Sequence, residues 1–197
     1  MPEAIDLLRT RRSIPIPALR APGPNDAALA TMLTVAARVP DHGKLAPWRF
    51  VLYRGEPAVA IGRALAAIAE RKDGTLTEAR RAQEEQRFSR SPLVVGVIST
   101  ASPHVKIPEW EQVLSVGAAA MNLVHAAHAM GFAANWVTEW VAYDEAAKAV
   151  LGIGVQERVA GFIHVGTPSD PPVDRPRPDL SAIVTEAVAP AAPSMEG

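Results

Sequence analysis

Residues 36–50 constrain this chain more than any other stretch. A helical pattern precedes them and a strand-like one follows, yet few of the residues between suit either element. Pro40 and Pro47 fix φ and remove two backbone donors, while Gly43 permits positive φ. Arg38, Asp41, His42 and Lys44 crowd the same loop. A rigid loop that concentrates polar groups between regular elements is a common place for a binding site, and charged surface turns have the same composition. Taken alone, the segment leaves both readings open.

The elements around the loop follow from periodicity. Ile5, Leu7 and Leu8 suggest a short helix that delivers Arg11, Arg12 and Ser13. Four prolines between 14 and 24 exclude regular helix and predict an extended crossing. Asn25 or Asp26 caps the next helix, whose apolar face is Leu29, Met32, Leu33, Ala36 and Ala37. A strand is expected over 48–53, and Pro57 starts a helix running to about residue 71. The charged stretch 75–90 reads as a helix that forms a solvated face or a lid. Residues 93–98 read as a buried strand and 109–130 as the longest helix, closed by Gly131. Gly117, Ala118, Ala119 and Ala120 would let another backbone come close, within the domain or across a dimer. Strands at 132–138 and 159–165 and a short helix capped by Asp144 complete an α+β order without strict βαβ alternation.

Composition narrows the function. Hydrophobic content of 48% with 21% charged residues describes a globular chain, and 197 residues suit one domain, here 1–180, followed by a tail at 181–197 expected to be mostly disordered. A net charge of −1 gives no general attraction for nucleic acid or an anionic membrane. The absence of cysteine excludes disulfides, thiolate zinc and a Cys nucleophile. No apolar run approaches the roughly 20 residues of a membrane span, and the start lacks signal-peptide character, so a cytoplasmic protein is expected.

Arg11-Arg12-Ser13, the loop Arg38-Val39-Pro40-Asp41-His42 leading to Pro47-Trp48-Arg49-Phe50, and the later segments Val105-Lys106-Ile107-Pro108-Glu109-Trp110-Glu111-Gln112, Met130-Gly131-Phe132 and Val165-Gly166-Thr167-Pro168 occur in a specific order. In that order the chain resembles the FMN-dependent nitroreductase family, most closely its compact YdjA-like branch of NAD(P)H nitroreductases. The resemblance implies a nitroreductase-like fold with a central mixed or antiparallel sheet flanked by helices. It also implies a homodimer with two composite FMN sites, with self and a small-molecule substrate as partners.

The family pattern assigns FMN contacts to Arg11, Arg12 and Ser13, and to Arg38 and His42 toward the partner's FMN. Trp136, Val137 and Thr138 match further FMN contacts, many through backbone; relatives of the branch carry a basic residue where Val137 stands. Without the resemblance, the first triplet reads equally as a basic helix end satisfying its dipole. Arg175 and Arg177 could fold back onto the FMN phosphate, or lie in a solvated linker. Ala126, Ala127, His128, Ala129, Met130 and Gly131 match a segment assigned to NAD(P) in the branch, although they lack a phosphate-binding pattern. His125 and His128, three apart, lack a third ligand nearby in sequence, so no metal is assigned. Ser13, Asp41 and His42 lack the nucleophile elbow of a hydrolase. The implied reaction is reduction of an electron-poor acceptor, nitroaromatic or quinone, with hydride from NAD(P)H in a ping-pong cycle. No side chain is assigned as catalytic, because the chemistry lies at flavin N5. The alternatives are other flavin chemistry on this fold (reductive dehalogenation or a flavin-consuming reaction) and a flavin-binding protein without turnover.

Overall fold

A computed structural model describes residues 3–188. Four strands form the sheet in the order β4 (Ala133–Val137), β5 (Arg158–Pro168), β3 (Leu93–Ser99) and β2 (Trp48–Tyr53). The two-residue β1 (Leu19–Arg20), part of the proline-rich crossing, pairs with the end of β5, and every pairing is antiparallel.

Strand periodicity divides the core in two. Val95 and Val97 of β3 and Ile163 and Val165 of β5 face α2 (Asp26–Ala36) and α5 (Glu109–Ala129). Val94, Ile98 and Phe162 face α3 (Gly55–Asp73) and α6 (Glu145–Val150) on the other side. A sheet covered on both faces must be apolar on both, which is why 93–98 reads as an unbroken apolar run. Tyr53, Phe88 and Phe162 meet in the second cluster with ring centroids 4.7, 5.0 and 6.1 Å apart, in tilted or edge-on contacts.

The expected caps are present. Asn25 accepts from Ala28 N at 2.9 Å, Asp144 accepts from Ala147 N at 3.0 Å, and Gly131 follows α5 at φ 85°. α1 spans Ala4–Thr10 and leads into Arg11. No helix among the described residues is long and apolar enough to cross a membrane. The expected disordered tail lies in part outside the described residues. Within them, Leu180–Ala182 form one exposed 3₁₀ turn.

The reading of 75–90 as a solvated face is corrected. α4 (Glu78–Glu85) and the turn after it bury Glu84, Arg87 and Phe88. Charges enter the interior here because they enter as pairs: Glu84 receives Arg80 Nε at 2.9 Å and Arg87 Nε at 2.7 Å. A count of charged residues cannot register such pairing. Gly62 lets α3 approach this segment closely, since a Cβ there would stand 1.8 Å from the Glu85 carbonyl.

Candidate functional site

One face of α5 carries the loop that opened the sequence reading. Glu111, Ser115 and Asn122 lie at i, i+4 and i+11, a single stripe of the helix. The Glu111 carboxylate stands 2.7 Å from His42 Nδ1, Ser115 Oγ donates to Pro40 O at 2.6 Å, and Asn122 Nδ2 donates to Arg38 O at 3.1 Å. Asp41 serves the loop itself, accepting from Leu45 N and Ala46 N at 3.0 and 2.9 Å. Those bonds hold a turn with positive φ at Gly43, Lys44 and Ala46. Gly43 also lies against Ile107, whose Cδ1 would be 2.3 Å from an added Cβ. Arg38 and His42 remain exposed, and a cavity of about 330 Å³ opens between His42, Pro40, Glu111 and Leu114.

The Arg11–Ser13 segment is mounted on the opposite end of α5. His128 Nε2 lies 2.9 Å from Arg12 O and its Nδ1 2.8 Å from Val124 O, so the ring bridges helix and segment, donating to one carbonyl when neutral and to both when protonated. Burial, the largest influence, and the nearby Arg11 lower the His128 pKa, while its two carbonyl acceptors oppose them. Asn135 Nδ2 donates to Ile14 O at 2.6 Å and ties the following residue to β4. Residues 173–177 fold back here: Arg12 Nε donates to Val173 O at 3.1 Å, and Asp174 lies 3.7 Å from Arg12 and 3.5 Å from Arg177. The Arg11 pKa is lowered by burial first, then by the like charges of Arg177 and Arg12. Arg11 has no carboxylate partner among the described residues. Arg175 makes only a local backbone bond to Asp174.

Trp136 and Val137 are the last paired residues of β4, opposite Ile163 and Phe162 of β5, and Thr138 is the first residue beyond it. The Trp136 indole donates to Ala160 O at 3.0 Å and lies against Gly161, where a Cβ would come within 1.9 Å of its Nε1. Val137 packs toward the second core cluster, and Thr138 Oγ1 pairs with Tyr143 OH at 3.2 Å. The 126–131 segment turns inward instead. Ala126 and Ala127 are core residues, both His128 nitrogens face carbonyls, and of the six only Gly131 is exposed.

One chain therefore assembles Arg11, Arg12 and Arg177, with Ser13 beside them in sequence, but does not add Arg38 and His42 to that group. Glu111, which holds His42, lies about 26 Å from His128 along α5 at 1.5 Å per residue, and Asn122, which holds Arg38, lies about 9 Å from it. Sequence reasoning missed the three residues that mount the loop. Their signal was a polar residue recurring at i, i+4 and i+11 on an otherwise apolar helix.

An antiparallel sheet between two helical layers, with arginines clustered at one end of the long helix, defines an α+β protein. The family model "Nitroreductase family" matches residues 8–167, and the chain belongs to that family. It is 36% identical over 167 residues to a Haemophilus influenzae protein named "Putative NAD(P)H nitroreductase", a match covering 84% of this chain and 88% of that protein. It is 31% identical over 169 residues to Escherichia coli K12 YdjA, named in the same way, with the same coverage. The structure of an FMN and NADPH-dependent nitroreductase, NfnB, from sphigopyxis sp. strain HMH superposes with a TM-score of 0.73 at 20% identity, covering 94% of this chain and 99% of that one.

Proposed function

We propose that the protein is a homodimeric FMN-dependent oxidoreductase that uses NAD(P)H to reduce an electron-poor small molecule, nitroaromatic or quinone, in a ping-pong cycle. The observation that carries this is the convergence of Arg11 and Arg177, more than 160 positions apart in sequence, with Arg11 unpaired by carboxylate. Guanidiniums crowded against their own repulsion fit a phosphate, which accepts from several N–H donors at once. FMN, when bound, would supply the two-electron chemistry. The chain's own residues bind and orient it. Arg11, Arg12, Ser13 and Arg177 take the phosphate end, and the backbone at Trp136, Val137 and Thr138 lines the ring.

Arg38 and His42 serve the partner's cofactor in this reading. His42 sits at the far end of α5 from Arg11, with Arg38 nearer along the same helix, so a two-fold pairing that runs α5 against its copy would bring each loop to the other chain's arginines. The helix offers a face for it. Trp110 and Leu114 are 68% and 54% exposed, and an added Cβ at Gly117 would touch nothing within 4 Å. Because 126–131 packs inward, we assign the hydride donor no site there and place it over the flavin ring.

The purified protein, reconstituted with FMN and titrated with NADPH without oxygen, should show a flavin band that bleaches and returns on adding a quinone. A colourless protein that cannot be reconstituted excludes the reading. A flavin that binds but never bleaches leaves a flavin-binding protein without turnover.

A further inference from the structure

Directly after the proposed ring contacts, Glu139 adopts φ 58° and ψ 179°. That corner of conformational space is close to glycine-only, and a side chain persists there only where its surroundings over-determine it. The surroundings of Glu139 are two arginines from the α4 segment. Arg90 Nη2 donates to both carboxylate oxygens at 2.8 and 2.7 Å, and Arg87 Nη1 reaches Oε2 at 2.5 Å. Arg87 is itself buried and bound to the fully buried Glu84, which also accepts from Trp140 Nε1 at 3.1 Å. The side chains of two consecutive residues, 139 and 140, are thus tied to the same buried charge network. Arg90 leaves its Nε buried and unpartnered while its outer nitrogen stays on Glu139, so the guanidinium is committed to this one carboxylate at some expense.

We propose that Glu139 is a positioning residue for the cofactor. Gripped by Arg87 and Arg90, it holds the backbone leaving Thr138 in an orientation that its own side-chain type resists. The charged segment 78–90 then acts on the ring site through residue 139 without touching the ligand. This rests on the reading above that the 136–138 backbone lines FMN.

Alanine and glycine at 139 separate positioning from plain structural support. Both remove the carboxylate and leave Arg87 and Arg90 without it, so both should lower the thermal midpoint alike. Glycine reaches φ 58° freely, whereas alanine relaxes away once the clamp is gone. Glu139→Ala should therefore weaken FMN binding by about tenfold and shift the visible flavin spectrum, while Glu139→Gly stays within about threefold of the parent. Arg90→Gln should weaken binding in the parent and change nothing further in Glu139→Gly. Glu139→Gln, which keeps the shape, should fall between parent and alanine and supplies a folded variant if the smaller residues do not yield one. If alanine and glycine bind FMN equally, or glutamine matches the parent in affinity and spectrum, the positioning role is overturned while the flavin reading stands. A parent protein that takes up no FMN removes both.

Discussion

His42 Nδ1 and Glu111 Oε2 stand 2.7 Å apart, joining a loop to a helix across 69 positions of sequence. The carboxylate accepts the Nδ1 proton, so Nε2 is the nitrogen turned outward for a ligand. With Ser115 on Pro40 and Asn122 on Arg38, the contact makes α5 the mount that sets where the loop's two basic groups stand. The other end of the same helix holds Arg12 through His128. One rigid element therefore spaces both halves of the proposed composite site.

Arg11→Ala should weaken FMN binding more than it affects NAD(P)H use by the enzyme that retains flavin. A lost charge-assisted contact is worth about 1.5–3 kcal/mol, or roughly tenfold to a hundredfold in affinity. Fluorescence titration of the apoprotein with FMN measures it. An unchanged titration would remove Arg11 from the site.

Ending the chain after Pro172 should yield folded, flavin-poor protein, because the truncation removes Arg177 and the Val173 carbonyl that receives Arg12. Ending it after Val188 should leave flavin content intact. Equal flavin in the two truncations would return 173–177 to the role of linker.

Acid should destabilise the fold in two stages. Burial pushes the His164 pKa from 6.5 down to about 3, with its Nδ1 paired to Ser91 Oγ at 2.9 Å. The unfolded chain then binds the proton that the native ring refuses, so the stability is complete above pH 6.5 and falls as pH drops toward 3. At full expression the effect is on the order of 5 kcal/mol. His125 and His128 are lowered in the same direction. Below about pH 4.5 a second loss begins: Glu157, lowered to about 2 chiefly by its bond with Arg49, loses that pairing as it protonates. Urea midpoints should hold from pH 7.5 to about 6.5 and fall from there to pH 4, less steeply in His164→Asn. Parallel slopes would mean that His164 titrates like an exposed imidazole.

Sequence periodicity located the strand at 93–98 and the long helix because each buries an apolar face, and the half-buried strand at 48–53 because it is rich in aromatic and β-branched residues. It underestimated β5, whose end at Thr167 and Pro168 is recruited only through pairing with β1. It misjudged 75–90, because Glu84 looks solvated until Arg80, Arg87 and Trp140 are placed around it. At the proposed site, Arg11 and His42 could be named only through the family resemblance, since their spacing alone leaves other readings open. Their supports could not, since Glu111, Ser115 and Glu139 gain meaning only from partners distant in sequence.

The shared site gives the most demanding prediction. Arg11→Ala and His42→Ala should each impair both sites of a homodimer. In a mixed dimer, one site would collect both defects and the other neither. Random pairing makes half the dimers mixed, so co-expression should restore about a quarter of parental sites. Glu111 sits on the same chain as the His42 it holds, so Glu111→Ala belongs to the His42 group. Paired with Arg11→Ala it should restore activity, and paired with His42→Ala it should not, because every site then carries one of the two defects. Mass spectrometry confirms that mixed dimers form, and quinone reduction under NADPH reads the restored fraction. If mixed dimers of Arg11→Ala and His42→Ala form yet recover nothing, the loop does not work in trans. If that pair recovers and the Glu111→Ala and Arg11→Ala pair does not, Glu111 supports its own subunit's fold and not the loop at the partner's cofactor.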